Sequence, residues 1–312
     1  MRSFAIFLGL IALGLAGIAA LGYPAWLLIS PLIDNAKFHR VASRVGMLLL
    51  VVAFLLVARR LKVGDRQSLG FGLPPAPFAR EVAWGIVFGV VLMLPVLGTM
   101  VALDMRDRIG PSLSGWDWFS VMLSGLARGL VIAFLEETFI RGAMQTAITR
   151  ESGARIAIAL TSLLYSATHF IGRYRVAAVD VNAWSGVDLL EGALMAFAHP
   201  IDILDAFLCL TAVGVLLGMV RQITGNIAAC IGLHAGWVAV IYVVRETSER
   251  NAHGPALWLL SDYDGFIGWM VFFWTLAIGG ALWWWYGVRK RRRGTAVVLP
   301  QDLAPRTPAP HR

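Results

Sequence analysis

Long apolar stretches separated by short polar connectors dominate the chain, and most are long enough to cross about 30 Å of hydrocarbon, which takes near twenty helical residues. Such runs lie at approximately Phe4 to Leu32, Val41 to Ala58, Val82 to Leu103, Trp118 to Ala147, Ile156 to Ile171, Ile201 to Val220, Ile227 to Val244 and Phe266 to Tyr286. The pattern predicts an all-α fold, a polytopic transmembrane helical bundle of about eight spans. The first run exceeds the 7 to 15 apolar residues of a signal peptide, so it is read as a span. Between the fifth and sixth spans, the segment from Arg173 to Pro200 contains Val187 to Leu194, which suits a short amphipathic helix lying in the interface. Thr247 to Gly265 is polar and interrupted by Pro255, and reads chiefly as a solvated connector, less as a cap over a site.

Composition agrees with this reading. The 312 residues are 58% hydrophobic and 15% charged, with mean hydropathy +0.71, whereas a soluble domain carries about 25% charged residues. Many of the 32 glycines sit inside apolar runs, as expected where helices approach closely in lipid. The formal charge is +8, but from Arg289 onward there are seven basic residues against one acid, so the basic balance lies largely in the tail and gives no reason to invoke nucleic acid. That cluster follows Trp283-Trp284-Trp285-Tyr286, an aromatic belt ahead of an anionic leaflet. Lys and Arg are in excess on the side that holds Arg2, the Arg59 to Arg80 loop, Arg150, Arg155, Arg221 and the tail. By the positive-inside rule both termini are expected in the cytoplasm, and the pattern suits a bacterial inner membrane. Three regions follow: N-terminal transmembrane helices over 1–115, a membrane-embedded core and last span over 116–288, and a basic tail over 289–312, expected to be disordered after Gly294. Cys209 and Cys230 fall in apolar runs and read as small core side chains. No Gly-rich phosphate loop and no Cys-x-x-Cys occurs.

Ionisable groups inside spans are costly, about 2.5–3.5 kcal/mol each near a helix centre, and are usually kept for function. The fourth run carries Glu136-Glu137-Thr138-Phe139-Ile140-Arg141, the fifth His169 and the seventh His234. At helical spacing Glu137 and Arg141 are i and i+4 neighbours and can pair, which leaves Glu136, about 100° round the helix, freer to act as a general base. Histidines from two other helices can converge on the same cavity. Two imidazoles and a carboxylate are ligands for a catalytic metal such as Zn2+, and they can equally hold a water and an oxyanion without one. Taken singly, each of these residues could instead be an interhelical hydrogen-bonding group.

Order and spacing add to this. Glu136-Glu137-x-x-x-Arg141, then Tyr165-x-x-x-His169, then His234 after Gly225-Asn226 resemble the three motifs of the CAAX protease and bacteriocin-processing family of intramembrane proteases, which includes the ras-converting CAAX proteases. The resemblance spans roughly Ser120 to Val244. Tyr165 stands where the family usually has Phe, and Val238 stands where its pattern has Asn or Asp four residues after the His. The resemblance implies an endopeptidase acting on membrane-associated substrates, prenylated CAAX-type ones included. In that scheme Glu136 activates water with help from His169, His234 stabilises the oxyanion or completes a metal site, and Arg141 orients Glu137. Members are described both as metalloproteases and as glutamate-type enzymes, and the sequence leaves Zn2+ and a metal-free water open. The competing reading, motivated by Val238, is a catalytically impaired membrane scaffold or immunity-type binding protein on the same fold.

Overall fold

A computed structural model describes residues 1–33, 36–110, 113–171 and 175–295, with side chains to residue 288. Ten helices follow one another among these residues: α1 (Arg2–Ile29), α2 (Phe38–Ala58), α3 (Pro75–Ala102), α4 (Gly115–Glu137), α5 (Gln145–Ser152), α6 (Ala154–Phe170), α7 (Ser185–Ala198), α8 (Leu204–Thr224), α9 (Ala228–Thr247) and α10 (Trp269–Thr295). The only strands among them, β1 (Arg106–Arg108) and β2 (Ser248–Arg250), form one short antiparallel pair. The chain is an all-α polytopic membrane bundle. Seven helical stretches have the length and apolarity to cross a membrane, α4 through α5 counting as a single stretch of 38 residues. The expected fifth span, α6, has 17 residues, about 25 Å at 1.5 Å per residue, short of a full hydrocarbon crossing. Val187 to Leu194 does form a helix, as part of α7. The helix α10 runs on to Thr295, and the tail expected to be disordered, 296–312, lies outside the described residues.

Helix starts follow local chemistry. The capping box Ser114/Asp117 opens α4: the Ser114 hydroxyl accepts the Asp117 amide at 3.2 Å and the Asp117 carboxylate accepts the Ser114 amide at 3.1 Å. At the start of α9 the Asn226 side chain accepts the Ala228 amide at 2.8 Å and donates to Glu81 at 3.0 Å, so the residue that caps α9 also ties it to α3. The loop after α2 turns through Asp65, whose carboxylate is held below the usual range by hydrogen bonds from Ser68.

Between α4 and α5 the helix does not stay α. Thr138–Met144 is π-helical, one residue past the paired glutamates. A π segment turns less per residue, and five successive side chains, Ile140 to Met144, are buried. Segments of this kind concentrate at functional sites.

In lipid there is no hydrophobic force between helices, so close approach rests on small residues and polar contacts. Here α9 is clamped between α3 and α4 by glycines. A Cβ on Gly232 would stand 2.3 Å from the Val82 carbonyl oxygen, one on Gly236 2.7 Å from that of Ile86, and one on Gly129 2.5 Å from that of Ala235. On the far side, Gly214 lets α8 close on Ser162 of α6, and the Ser166 hydroxyl donates to the Phe207 carbonyl at 2.7 Å. Cys209 and Cys230 are buried free thiols, as expected of small core residues.

Backbone atoms meet at these crossings, so a larger side chain cannot be absorbed by a rotamer change. Gly232→Leu should force α9 off α3, costing at least the roughly 1–3 kcal/mol of ordinary overpacking. A lowered melting temperature of the purified protein in detergent would register this, whereas Gly98→Leu, where a side chain meets open space, should leave melting unchanged.

Candidate active site

The glycine faces bring α9 against α4 at the height of the glutamates. Glu137, the last residue of α4, is fully buried. Its Oε1 lies 2.9 Å from Nδ1 of His234 and 3.4 Å from Nη1 of Arg141. Arg141 is also fully buried: its Nη2 reaches the Gly214 carbonyl at 3.4 Å and its guanidinium carbon sits 4.5 Å above the Tyr165 ring. The expected Glu137–Arg141 pair is therefore present, although the backbone between them is mostly π-helical. Arg141 also reaches α6 and α8, so one cation contacts three helical segments.

The histidine tautomers follow from their partners. Nδ1 of His169 lies 2.8 Å from the Tyr165 carbonyl, which can only accept, so Nδ1 carries the proton. Nδ1 of His234 faces a carboxylate kept ionised by Arg141 beside it, and it too is the donor. In the neutral form of either ring Nε2 is then a lone pair, the arrangement by which a second partner fixes an imidazole for proton transfer or ligation. For His234 to stabilise an oxyanion, its Nε2 must first gain a proton.

Both imidazoles line one cavity of about 140 Å3, otherwise walled mainly by apolar side chains from α3, α8, α9 and α10, with Val238 among them. Its cover is the stretch after α9. Tyr263, Asp264, Phe266 and Ile267 line the cavity, and the Tyr263 hydroxyl donates to the His169 carbonyl at 2.6 Å. The segment read as a solvated connector is thus a cap. Arg106 of β1 braces it, donating to the carbonyls of Ser248 and Gly265, each at 2.6 Å. Alternation of polar and apolar residues carries no sign of this, because the cap is defined by contacts distant in sequence.

Glu136 sits differently. It is half-buried, its Oε2 is buried without a partner among the described residues, and it is not part of the cavity wall proper. Its charge nonetheless acts on both Tyr165 and His234. The fit of a metal can be judged from the donors. Among the described residues no three His, Cys, Asp or Glu side chains gather as a metal-holding group, and the carboxylate nearest His234 is committed to Arg141. As placed, Glu136, His169 and His234 do not form a three-ligand set for Zn2+.

The decisive comparison is with protein families. Residues 117–240 match the Rce1-like family of type II CAAX prenyl endopeptidases. That span holds Glu136, Glu137, Arg141, Tyr165, His169 and His234, so the Rce1-like match and the buried constellation coincide. Searches of curated proteins and of solved structures gave no match.

Removing Arg141 should leave the Glu137 charge buried with only an imidazole beside it. Arg141→Met is therefore expected to cost about 3–5 kcal/mol, while Arg141→Met combined with Glu137→Gln, which removes both charges, should recover part of that loss. Melting of the single and double variants in detergent checks the coupling; additive losses would contradict it.

Proposed function

We propose that the chain is an intramembrane endopeptidase that hydrolyses peptide bonds of membrane-associated substrates, and that water is activated by Glu136 together with an imidazole. The observation that carries the reading is a largely apolar cavity lined by both imidazoles, with a half-buried carboxylate, Glu136, adjacent in the chain to the Glu137 that holds one of them and carrying an oxygen unpartnered among the described residues. A carboxylate whose oxygen finds no protein partner is suited to accept a proton from water, and a cavity shielded from bulk solvent strengthens every electrostatic interaction within it. In this scheme the water oxygen bonds to the scissile carbonyl carbon as its proton passes to Glu136, while the second hydrogen of the water is held by Nε2 of His169. As the tetrahedral intermediate collapses, the carbon–nitrogen bond breaks and Glu136 returns the proton to the departing amine. Glu137 and Arg141 do not touch the substrate; they fix His234.

The apolar wall favours hydrophobic residues on either side of the bond cut, and the Rce1-like likeness is the reason to try prenylated C-terminal peptides first. The distribution of Lys and Arg supports an orientation with the termini in the cytoplasm. One feature favours a second reading, a non-catalytic binding protein: Val238 lines the cavity where the family motif has a polar side chain.

Glu136→Ala should abolish cleavage of membrane-tethered and prenylated peptides, at least 10²-fold, with melting unchanged; undiminished cleavage by that variant would remove the assignment. With no three-ligand set in place, a zinc chelator should leave the wild-type rate unaltered, and complete inhibition reversed by added Zn2+ would show a metal-dependent reaction instead. If wild type cleaves nothing while a cellular phenotype survives Glu136→Ala and His169→Ala, the binding-protein reading takes its place.

A further inference from the structure

The donors around the cavity do not match what acyl-transfer chemistry needs. As water attacks, negative charge develops on the carbonyl oxygen, and a fixed hydrogen-bond donor directed at that oxygen is commonly the largest single contribution to the rate. Both Nδ1 protons are spent, His169 on the Tyr165 carbonyl and His234 on Glu137. Among the other lining groups, the Tyr263 hydroxyl donates to the His169 carbonyl, the Trp274 indole to the Leu92 carbonyl at 2.8 Å and the Thr275 hydroxyl to the Val271 carbonyl at 2.7 Å. Val238 has nothing to donate.

Tyr165 remains. Its side chain is 2% exposed and lines the cavity, yet its hydroxyl makes no hydrogen bond to any described residue. A buried tyrosine hydroxyl normally has a partner. Its ring packs 4.5 Å from the His169 ring and 6.2 Å from that of His234, edge-on to both, with Arg141 over its face. We propose that the Tyr165 hydroxyl is a catalytic hydrogen-bond donor to the tetrahedral oxyanion, supplying from α6 the contact that Val238 on α9 cannot. The proton stays on the phenol throughout; the oxyanion is stabilised by the hydrogen bond, and proton transfer runs between water, Glu136 and the departing amine. The assignment rests on the peptidase reading above and adds a residue to it. It also gives a physical reason for the two departures from the family motif to occur together, a hydroxyl gained at 165 where a polar group is lost at 238.

The control is Tyr286→Phe, which removes a phenolic hydroxyl from an exposed position on α10, away from the cavity lining. Full-length protein in detergent would be assayed on a membrane-tethered fluorogenic peptide for kcat, KM and melting temperature. Tyr165→Phe, which restores the ring usual in the family and removes only the hydroxyl, should lower kcat by about 10²-fold or more, with KM and melting little changed. Adding Val238→Asn to that variant should return at least tenfold, and Tyr286→Phe should behave as wild type. Wild-type kcat in Tyr165→Phe overturns the proposal while leaving the peptidase reading intact. So does a loss that tracks a fall in melting temperature and is not recovered by Val238→Asn, since that is a packing effect, or an equal loss in Tyr286→Phe. A wild-type protein that cleaves no peptide overturns the peptidase reading and this assignment together.

Discussion

A fully buried carboxylate in a membrane interior is costly unless it is paired, and Glu137 is fully buried there. Desolvating an ion of this size costs several kcal/mol even after relaxation, and the cost is offset only when partners are close and well placed. The partners come from elsewhere in the chain: Arg141 from the π-helical turn that follows, and His234 from α9, 97 residues on. Holding this triad together fixes the height of α9 against α4. Through Arg141 it also draws in the Tyr165 ring of α6 and the Gly214 carbonyl of α8. The site geometry is thus a consequence of satisfying one buried charge.

That triad can form only because the helices come unusually close. Gly232 and Gly236 face α3, and Gly129 allows the backbone of α9 near Ala235 to reach α4. The same small residues that replace a hydrophobic driving force in lipid therefore set the distances within the buried triad. With α9 held on two sides, Nδ1 of His234 meets Glu137. The stretch from Tyr263 to Ile267, anchored by Arg106, forms part of the cavity wall.

Much of this was legible in the sequence, because hydropathy and charge act locally. The apolar runs marked the helices, although α3 begins at Pro75 ahead of Val82 and α10 continues to Thr295 past Tyr286, and the cost of charge in a span singled out Glu136, Glu137, Arg141, His169 and His234. The i, i+4 spacing indicated the Glu137–Arg141 pair. What was not legible depends on tertiary contact. The π turn at Thr138–Met144 has no signature in residue spacing. The proton on Nδ1 of each histidine is decided by a partner found only in the fold. The stretch after α9 is polar and contains a proline, so it resembles any solvated loop until Tyr263 is seen against His169. The apolar run Ile156 to Ile171 locates α6 closely, which spans Ala154–Phe170.

The central claim is that Glu137 holds His234 with its proton on Nδ1 and its Nε2 lone pair in the cavity. Nitrogen-15 NMR of histidine-labelled protein at neutral pH reads this directly, because protonated and lone-pair ring nitrogens resonate far apart. The account predicts Nδ1–H with an unprotonated Nε2 for His234, lost on Glu137→Gln, while His169 keeps the same tautomer in both proteins. A proton on Nε2 of His234 with a bare Nδ1, unaffected by Glu137→Gln, would contradict it.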